Sequence, residues 1–200
     1  EFVAPNVFIP IAEQAGIIDD LGTWVISQVC EDLSGFIRQG TSIKKVALNI
    51  SPVQFKRQNL AAILQRYLEH YKLDASYLEV EITETAIIDS FDKAKEMLKE
   101  LQRLGVTIAI DDFGTGYSSL TYLKQLPIDT LKIDRQFIMG LPDNSDDVHI
   151  IKAIDGLAQG MGITLLAEGV ETQEQYQFIV DQTHCEIVQG FYLSKPMSPE

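Results

Sequence analysis

Apolar and polar residues alternate along six short runs of this chain, and each run ends in a polar residue able to bind metal or phosphate. The runs are Val46–Ile50, Leu78–Ile82, Thr107–Asp112, Thr130–Asp134, Thr164–Glu168 and Ile187–Gly190. In the first, Val46, Leu48 and Ile50 share one face while Ala47 and Asn49 share the other. Leu78, Val80 and Ile82 oppose Glu79, Glu81 and Thr83; Val106, Ile108 and Ile110 oppose Thr107, Ala109 and Asp111; Leu131 and Ile133 oppose Thr130, Lys132 and Asp134. Strand side chains point alternately to the two faces of a sheet. The pattern therefore predicts an apolar face under helices and a small or polar face turned inward. A doubly wound open sheet would read as continuous apolar runs instead.

Between the runs the periodicity becomes helical. Phe8, Ile9 and Ala12 predict a short helix closed near Gly16. A longer one is expected over 19–40, with Leu21, Val25, Val29 and Leu33 on a face joined by Trp24 and Phe36. Further helices are predicted by Leu60, Ile63, Leu64, Tyr67, Leu68 and Tyr71, and by Phe91, Ala94, Met97, Leu98 and Leu101, the latter with Ser90 as N-cap and Gly105 past its end. Ile150, Ile151, Ile154 and Leu157 mark another, and Thr172 with Gln175 forms a capping-box pattern for a last one. Residues 143–147 lack the glycine and closing glutamate of a calcium loop and read as a solvated helix start.

Repeated β/α units with functional groups at the strand ends define an α/β fold of the (β/α)-barrel type, as one domain over 1–200. A barrel closes with eight strands, so about two N-terminal strands are expected to be missing. The open edges beside 46–50 and 187–191 would then invite association or swapping, and the piece is expected to be oligomeric, aggregation-prone or rearranged. The chain opens at Glu1-Phe2 without a methionine and reads as part of a longer protein.

Composition changes the picture in three places. Hydrophobic residues are 46% of 200 and charged residues 22%, enough for a large core and too ordered a mix for disorder. The net charge of −13 with no basic stripe excludes a protein that coats DNA or RNA duplex, while a small anion needs local cations. Cys30 and Cys185 are expected to be free thiols in a reducing cytosol, with a single disulfide as the alternative. No apolar run reaches roughly 18 residues, so no membrane span is expected within the chain, and no signal peptide is visible.

The candidate chemistry is carboxylate chemistry. Glu81, Asp111 and Asp112 at one mouth would each cost on the order of several kcal/mol unless cations or shared protons compensate, and Lys132 offers one positive charge. Oxygen-rich sites suit Mg²⁺ or Mn²⁺, and Asp111-Asp112 suits two ions held about 3.5–4 Å apart for phosphoester hydrolysis. The bland reading is a set of solvated carboxylates. Glu168 reads as metal ligand or base, with a structural ion pair as alternative; Gln189 reads as a base or sugar contact, with a core hydrogen bond as alternative. Asp112-Phe113-Gly114 matches the kinase metal tripeptide only by coincidence, and Gly114-Thr115-Gly116 is a weak phosphate cradle better read as a flexible loop. His70, His149 and His184 lack ligand spacing, and Cys185 reads as core.

The chain resembles the C-terminal part, about four-fifths, of an EAL domain, the bacterial cyclic-di-GMP phosphodiesterase family. The resemblance rests on Phe8-Ile9-Pro10 with Ala12-Glu13, Asn49-Ile50-Ser51, Glu81-Ile82-Thr83-Glu84, the stretch Asp111 to Leu120, Leu131-Lys132-Ile133-Asp134, Ala167 to Thr172 and Val188-Gln189-Gly190, in order. It implies a modified TIM barrel with an antiparallel first strand, and hydrolysis of cyclic di-GMP to linear pGpG with Mg²⁺ or Mn²⁺, two ions in the intact domain. By matching position, Asn49, Glu81, Asp111 and Asp112 are implied as metal ligands. Lys132 would hold the attacking water, Glu168 would be ligand or base, and Gln189 would contact substrate. Glu84, Glu171, Gly114 and Gly116 would support the site, with residues 113–119 as a metal-sensing and dimer-contact loop. A homodimer, upstream sensory or GGDEF domains and a cytoplasmic location are also implied. The namesake Glu-Ala-Leu is absent, which is expected to impair this piece by removing one metal ligand and a nearby phosphate-gripping Arg. A non-catalytic cyclic-di-GMP sensor or interaction module is the alternative, and an enolase-type barrel enzyme fits the Asp111–Leu120 stretch poorly.

Overall fold

In the computed structural model, residues 3–88, 90–114 and 120–197 are described, with Leu120 and Thr121 by their backbone alone. The chain divides into two compact units, Glu1–Ile108 and Ala109–Glu200.

In the first unit, helices α1 (Pro5–Ala15) and α2 (Ile18–Arg38) precede strand β1 (Val46–Asn49). The side that α2 buries is the predicted one only in part, at Leu33. Ile18, Ile26, Cys30 and Leu33 are buried, whereas Trp24 is 60% exposed. The helix is apolar around much of its girth, so three- and four-residue spacings fit both faces, and a buried Cys packs as a small hydrophobe. A short α3 (Pro52–Arg57) follows β1, its start capped by Ser51, whose hydroxyl accepts from the Val53 N–H. Helix α4 (Leu60–Tyr71) packs Leu60, Leu64 and Leu68 inward.

Strand β2 (Leu78–Thr83) runs parallel to β1, with Asn49 opposite Glu81 at their ends. Strand β1 keeps the predicted alternation, with Leu48 and Ile50 buried and Ala47 and Asn49 exposed. In β2 both faces are buried, Glu79 and Glu81 included. Helices α5 (Glu84–Ile88) and α6 (Phe91–Leu104) follow, the latter burying Ala94, Leu98 and Leu101 as its periodicity predicts. Ser90 stands at the N-cap of α6, but its side chain makes no capping bond.

The second unit carries most of β3 (Thr107–Phe113), then β4 (Thr130–Ile133), β5 (Thr164–Ala167) and β6 (Ile187–Val188), paired in parallel in that order. Helices α7 (Leu120–Leu123), α8 (Arg135–Ile138), α9 (Ser145–Met161) and α10 (Gln173–Gln182) lie between them in sequence. Strand β6 is shorter than its run, leaving Gln189 and Gly190 beyond its end. The Thr172–Gln175 capping box forms as read from the sequence, with both reciprocal bonds present. Leu131, Ile133, Leu165, Ile151 and Ala158 supply the core. Both cysteines are free, and no helix among the described residues is long and apolar enough to cross a membrane.

Candidate active site

The end of β3 is irregular, and the irregularity sets the geometry. Ile110 pairs with Leu131 and Phe113 with Ile133, so β3 spends one residue more than β4 over this stretch. The extra residue falls at Asp111-Asp112, a bulge of the kind that re-aims side chains. Asp112 adopts a left-handed backbone, φ 55°. Aspartate tolerates that region better than most side chains. The Asp111 carboxylate accepts the Asp112 N–H at 3.0 Å, closing a donor that the bulge leaves off the ladder. Gly114 then turns the chain away with φ 94°.

Strand β4 brings Lys132 to this point. Its side chain is 3% exposed, and Nζ lies 3.1 Å from Asp111 Oδ1 and 2.6 Å from Glu168 Oε1. Burying an ammonium is costly unless it is paired. Two carboxylates from the neighbouring strands supply that pairing. Glu168 directly follows β5, and its N–H donates to the Ile133 carbonyl at 3.2 Å, so the strand geometry fixes its backbone. Asp112 is pushed up to about 6, first by burial, then by the Asp111 charge, a hydrogen bond with Asp134, and the charges of Asp134 and Glu168. Two carboxylates thus flank the Lys132 ammonium, and Asp112 and Asp134 adjoin them. That all-oxygen donor set, in negative excess, fits a hard divalent cation. Among the described residues no three His, Cys, Asp or Glu side chains converge in ligating geometry; here the Lys132 ammonium stands between Asp111 and Glu168.

A cleft of about 210 Å³ opens beside Glu168, lined also by Gln189, Glu171, Arg135 and Phe191. Gln189 is held at its backbone from both sides, its N–H donating to Ala167 at 2.8 Å and its carbonyl accepting from Val170 at 3.1 Å. Glu171 pairs with Arg135 at 2.7 Å. In the first unit, Asn49 and Glu81 stand side by side at the ends of β1 and β2, Asn49 exposed and Glu81 buried. Glu84 is buried at the start of α5. Gly116, and the rest of the expected loop after Gly114 up to Ser119, lie outside the described residues.

The second unit therefore gathers Asp111, Asp112, Lys132, Glu168 and, beside them, Gln189 and Glu171. The sequence reading marked Asp134 only as the polar end of its run and gave no role to Arg135. Asp134 ends a β run and Arg135 follows it, but only the fold puts one against Asp112 and the other against Glu171. His184, read as non-catalytic, lies with Nδ1 3.1 Å from Asp155. Burial pushes the Cys185 thiol up to about 11, in keeping with an inert side chain.

Strands ending in such a carboxylate–lysine cluster belong to a class of β/α enzymes and ligand-binding domains with the site at the strand ends. The sequence model of the EAL domain matches residues 1–196, and the chain belongs to the EAL domain family. It is 42% identical over 195 residues to the cyclic di-GMP phosphodiesterase NbdA of Pseudomonas aeruginosa, covering 98% of this chain and 25% of that protein. It is 39% identical over 198 residues to the bifunctional diguanylate cyclase/cyclic di-GMP phosphodiesterase MucR of the same organism, covering 99% of this chain and 29% of that one. The chain thus spans about a quarter of the length of the curated relatives it matches. The solved structure of the PaMucR phosphodiesterase with c-di-GMP superposes with a TM-score of 0.93 at 39% identity, over 98% of this chain and 78% of that one. The EAL enzyme Bd1971 bound to cAMP and cyclic di-GMP superposes at 0.90 and 33% identity, over 98% and 54%. The α/β fold of parallel strands is the fold of these EAL structures.

Proposed function

We propose that this domain hydrolyses cyclic di-GMP to linear pGpG with the help of Mg²⁺ or Mn²⁺. The supporting observation is the crowd of carboxyl groups around the single buried ammonium of Lys132, in a chain of the EAL family. Asp111, Asp112 and Glu168 are the proposed ligands from this crowd, and Asn49 and Glu81 are proposed on their family positions. Two ions there would acidify a water and offset charge on the phosphoryl oxygens. Lys132 holds a fixed positive charge at the strand ends, where charge builds on the phosphoryl oxygens. Glu168, in its ion pair with Lys132, would take the proton of the attacking water if it serves as base rather than as ligand. Gln189 presents an amide from a rigid backbone to the bound dinucleotide. The homodimer and the attachment to sensory or cyclase domains in the cytoplasm belong to the same proposal.

Substituting Glu81→Ala or Asp111→Ala in the intact domain is expected to cut turnover at least about 100-fold. Near-normal pGpG release in millimolar Mg²⁺ by both variants would defeat the assignment. Tight calorimetric binding of cyclic di-GMP in Mg²⁺ with no pGpG formed would make the domain a sensor instead.

A further inference from the structure

Glu168 sits at the start of a bend outside regular secondary structure, since β5 ends at Ala167 and α10 begins at Gln173. Its own N–H is tied to β4 through Ile133. The next residue, Gly169, has φ 71°, and a side chain there would run into the Cβ, Cγ and Cδ of Arg135. The Arg135 stem thus fills the space that Gly169 leaves open. Two residues further on, the Glu171 carboxylate meets the Arg135 guanidinium at 2.7 Å. The Glu171 N–H donates to Gln175 Oε1 at 2.8 Å, and Gln175 is 7% exposed, so Glu171 is braced from behind by α10.

We propose that Arg135 is a positioning residue for Glu168, its stem seating Gly169 and its guanidinium fastening Glu171 so that the bend after β5 has one shape. The exposed ion pair contributes little by itself, with side chains 55% and 40% exposed. The constraint comes from combining that pair with stem packing against a glycine whose backbone admits no side chain. Chain order makes the device short-range. Lys132 meets Glu168, Asp134 meets Asp112, and Arg135 meets Glu171, so one stretch of β4 and its following turn registers the whole carboxylate set. A catalytic group displaced by about 1 Å loses on the order of 100-fold in rate. The catalytic consequence rests on the phosphodiesterase reading; the structural one does not.

The test uses Arg135→Ala, Arg135→Met, Arg135→Lys, Glu171→Arg and the swapped pair Arg135→Glu with Glu171→Arg. Two readouts are taken: kcat and KM for cyclic di-GMP in saturating Mg²⁺, and amide hydrogen exchange of Val170 and Glu171 without metal or substrate. Arg135→Ala is expected to lower kcat about 10–100-fold with KM within about threefold, and to speed exchange at the bend about tenfold. Met, which keeps the stem, and Lys, which keeps the charge, each restore part of both. The swapped pair recovers kcat relative to Glu171→Arg alone. Unchanged kcat and exchange in Arg135→Ala overturn the proposal, as does a loss confined to KM. If Arg135→Ala fails to fold, Met and Lys decide by the same criteria. If the unaltered protein releases no pGpG, the phosphodiesterase reading has failed, and exchange alone decides: faster in Ala or Met and restored in Lys upholds the clamp, unchanged overturns it.

Discussion

The two ends of β5 each carry a carboxylate cluster, and they are built on opposite terms. Near its start, Asp155 of α9 is buried, receives the His184 backbone N–H at 3.0 Å and the Gln159 amide at 3.0 Å, and lies 3.1 Å from His184 Nδ1. One carboxylate there has several donors. Past its end, Asp111 and Glu168 share one ammonium with Asp112 and Asp134 close by, and Asp112 is pushed up to about 6. A saturated cluster stabilises a fold; the crowded one is where a cation is proposed to bind. The contrast matches the division of labour in β/α barrels, where chemistry gathers at the carboxyl ends of the strands and stability at the other.

That contrast can be broken at either end. Lys132→Met is expected to lower turnover about 100–1000-fold, since it removes the fixed positive charge from the crowded end. Steady-state kinetics would show it, and a loss of similar size from Asp155→Ala would erase the distinction. Asp155→Ala should instead destabilise by about 2 kcal/mol, because it removes the hydrogen bonds made to a buried charged acceptor, while kcat stays within about twofold. Urea unfolding measures the first and kinetics the second.

Cation binding separates the ends without any turnover. Mg²⁺ at about ten times its Kd should raise stability by about 1.4 kcal/mol, and Asp111→Asn should reduce that gain while Asp155→Ala leaves it intact. Thermal unfolding with and without Mg²⁺ reads it, and no stabilisation in any variant would count against a metal at the crowded end.

The smallest effect is in pH. Asp112 is raised from 3.8 to about 6 in the fold. Its contribution to stability is therefore full below about pH 4 and is lost as pH rises through about 6. Between those values the metal-free protein should lose on the order of 1 kcal/mol that Asp112→Asn does not lose, a figure reduced for solvent screening. Parallel pH–stability curves for the two would mean that Asp112 feels no such crowd.

Much of this was readable from local pattern. Helices α4 and α6, the Thr172–Gln175 box and the strand ends at Asn49, Glu81, Asp111 and Glu168 follow from periodicity and capping chemistry over a few residues. The bulge at Asp111-Asp112 was not, because it exists only against the register of β4. The burial of Glu79, Glu81 and Lys132 agrees with a polar face turned inward, although alternation by itself sets no depth for that face. Ser90 occupies its predicted position without making the predicted bond. Arg135 carries no local signal at all: its meaning lies in a glycine 34 positions later whose missing side chain leaves it room.

The backbone at Asp112 restricts what can ever occupy that place. Glycine, asparagine and aspartate accept a left-handed residue readily, and of those only aspartate bears a charge. Glutamate, chemically the nearest substitute, is disfavoured there by about 1–2 kcal/mol through the shape of the main chain, before its carboxylate is consulted. A tolerance screen at this codon would find its permitted alphabet written by torsion angle, with function choosing one letter from a very short list.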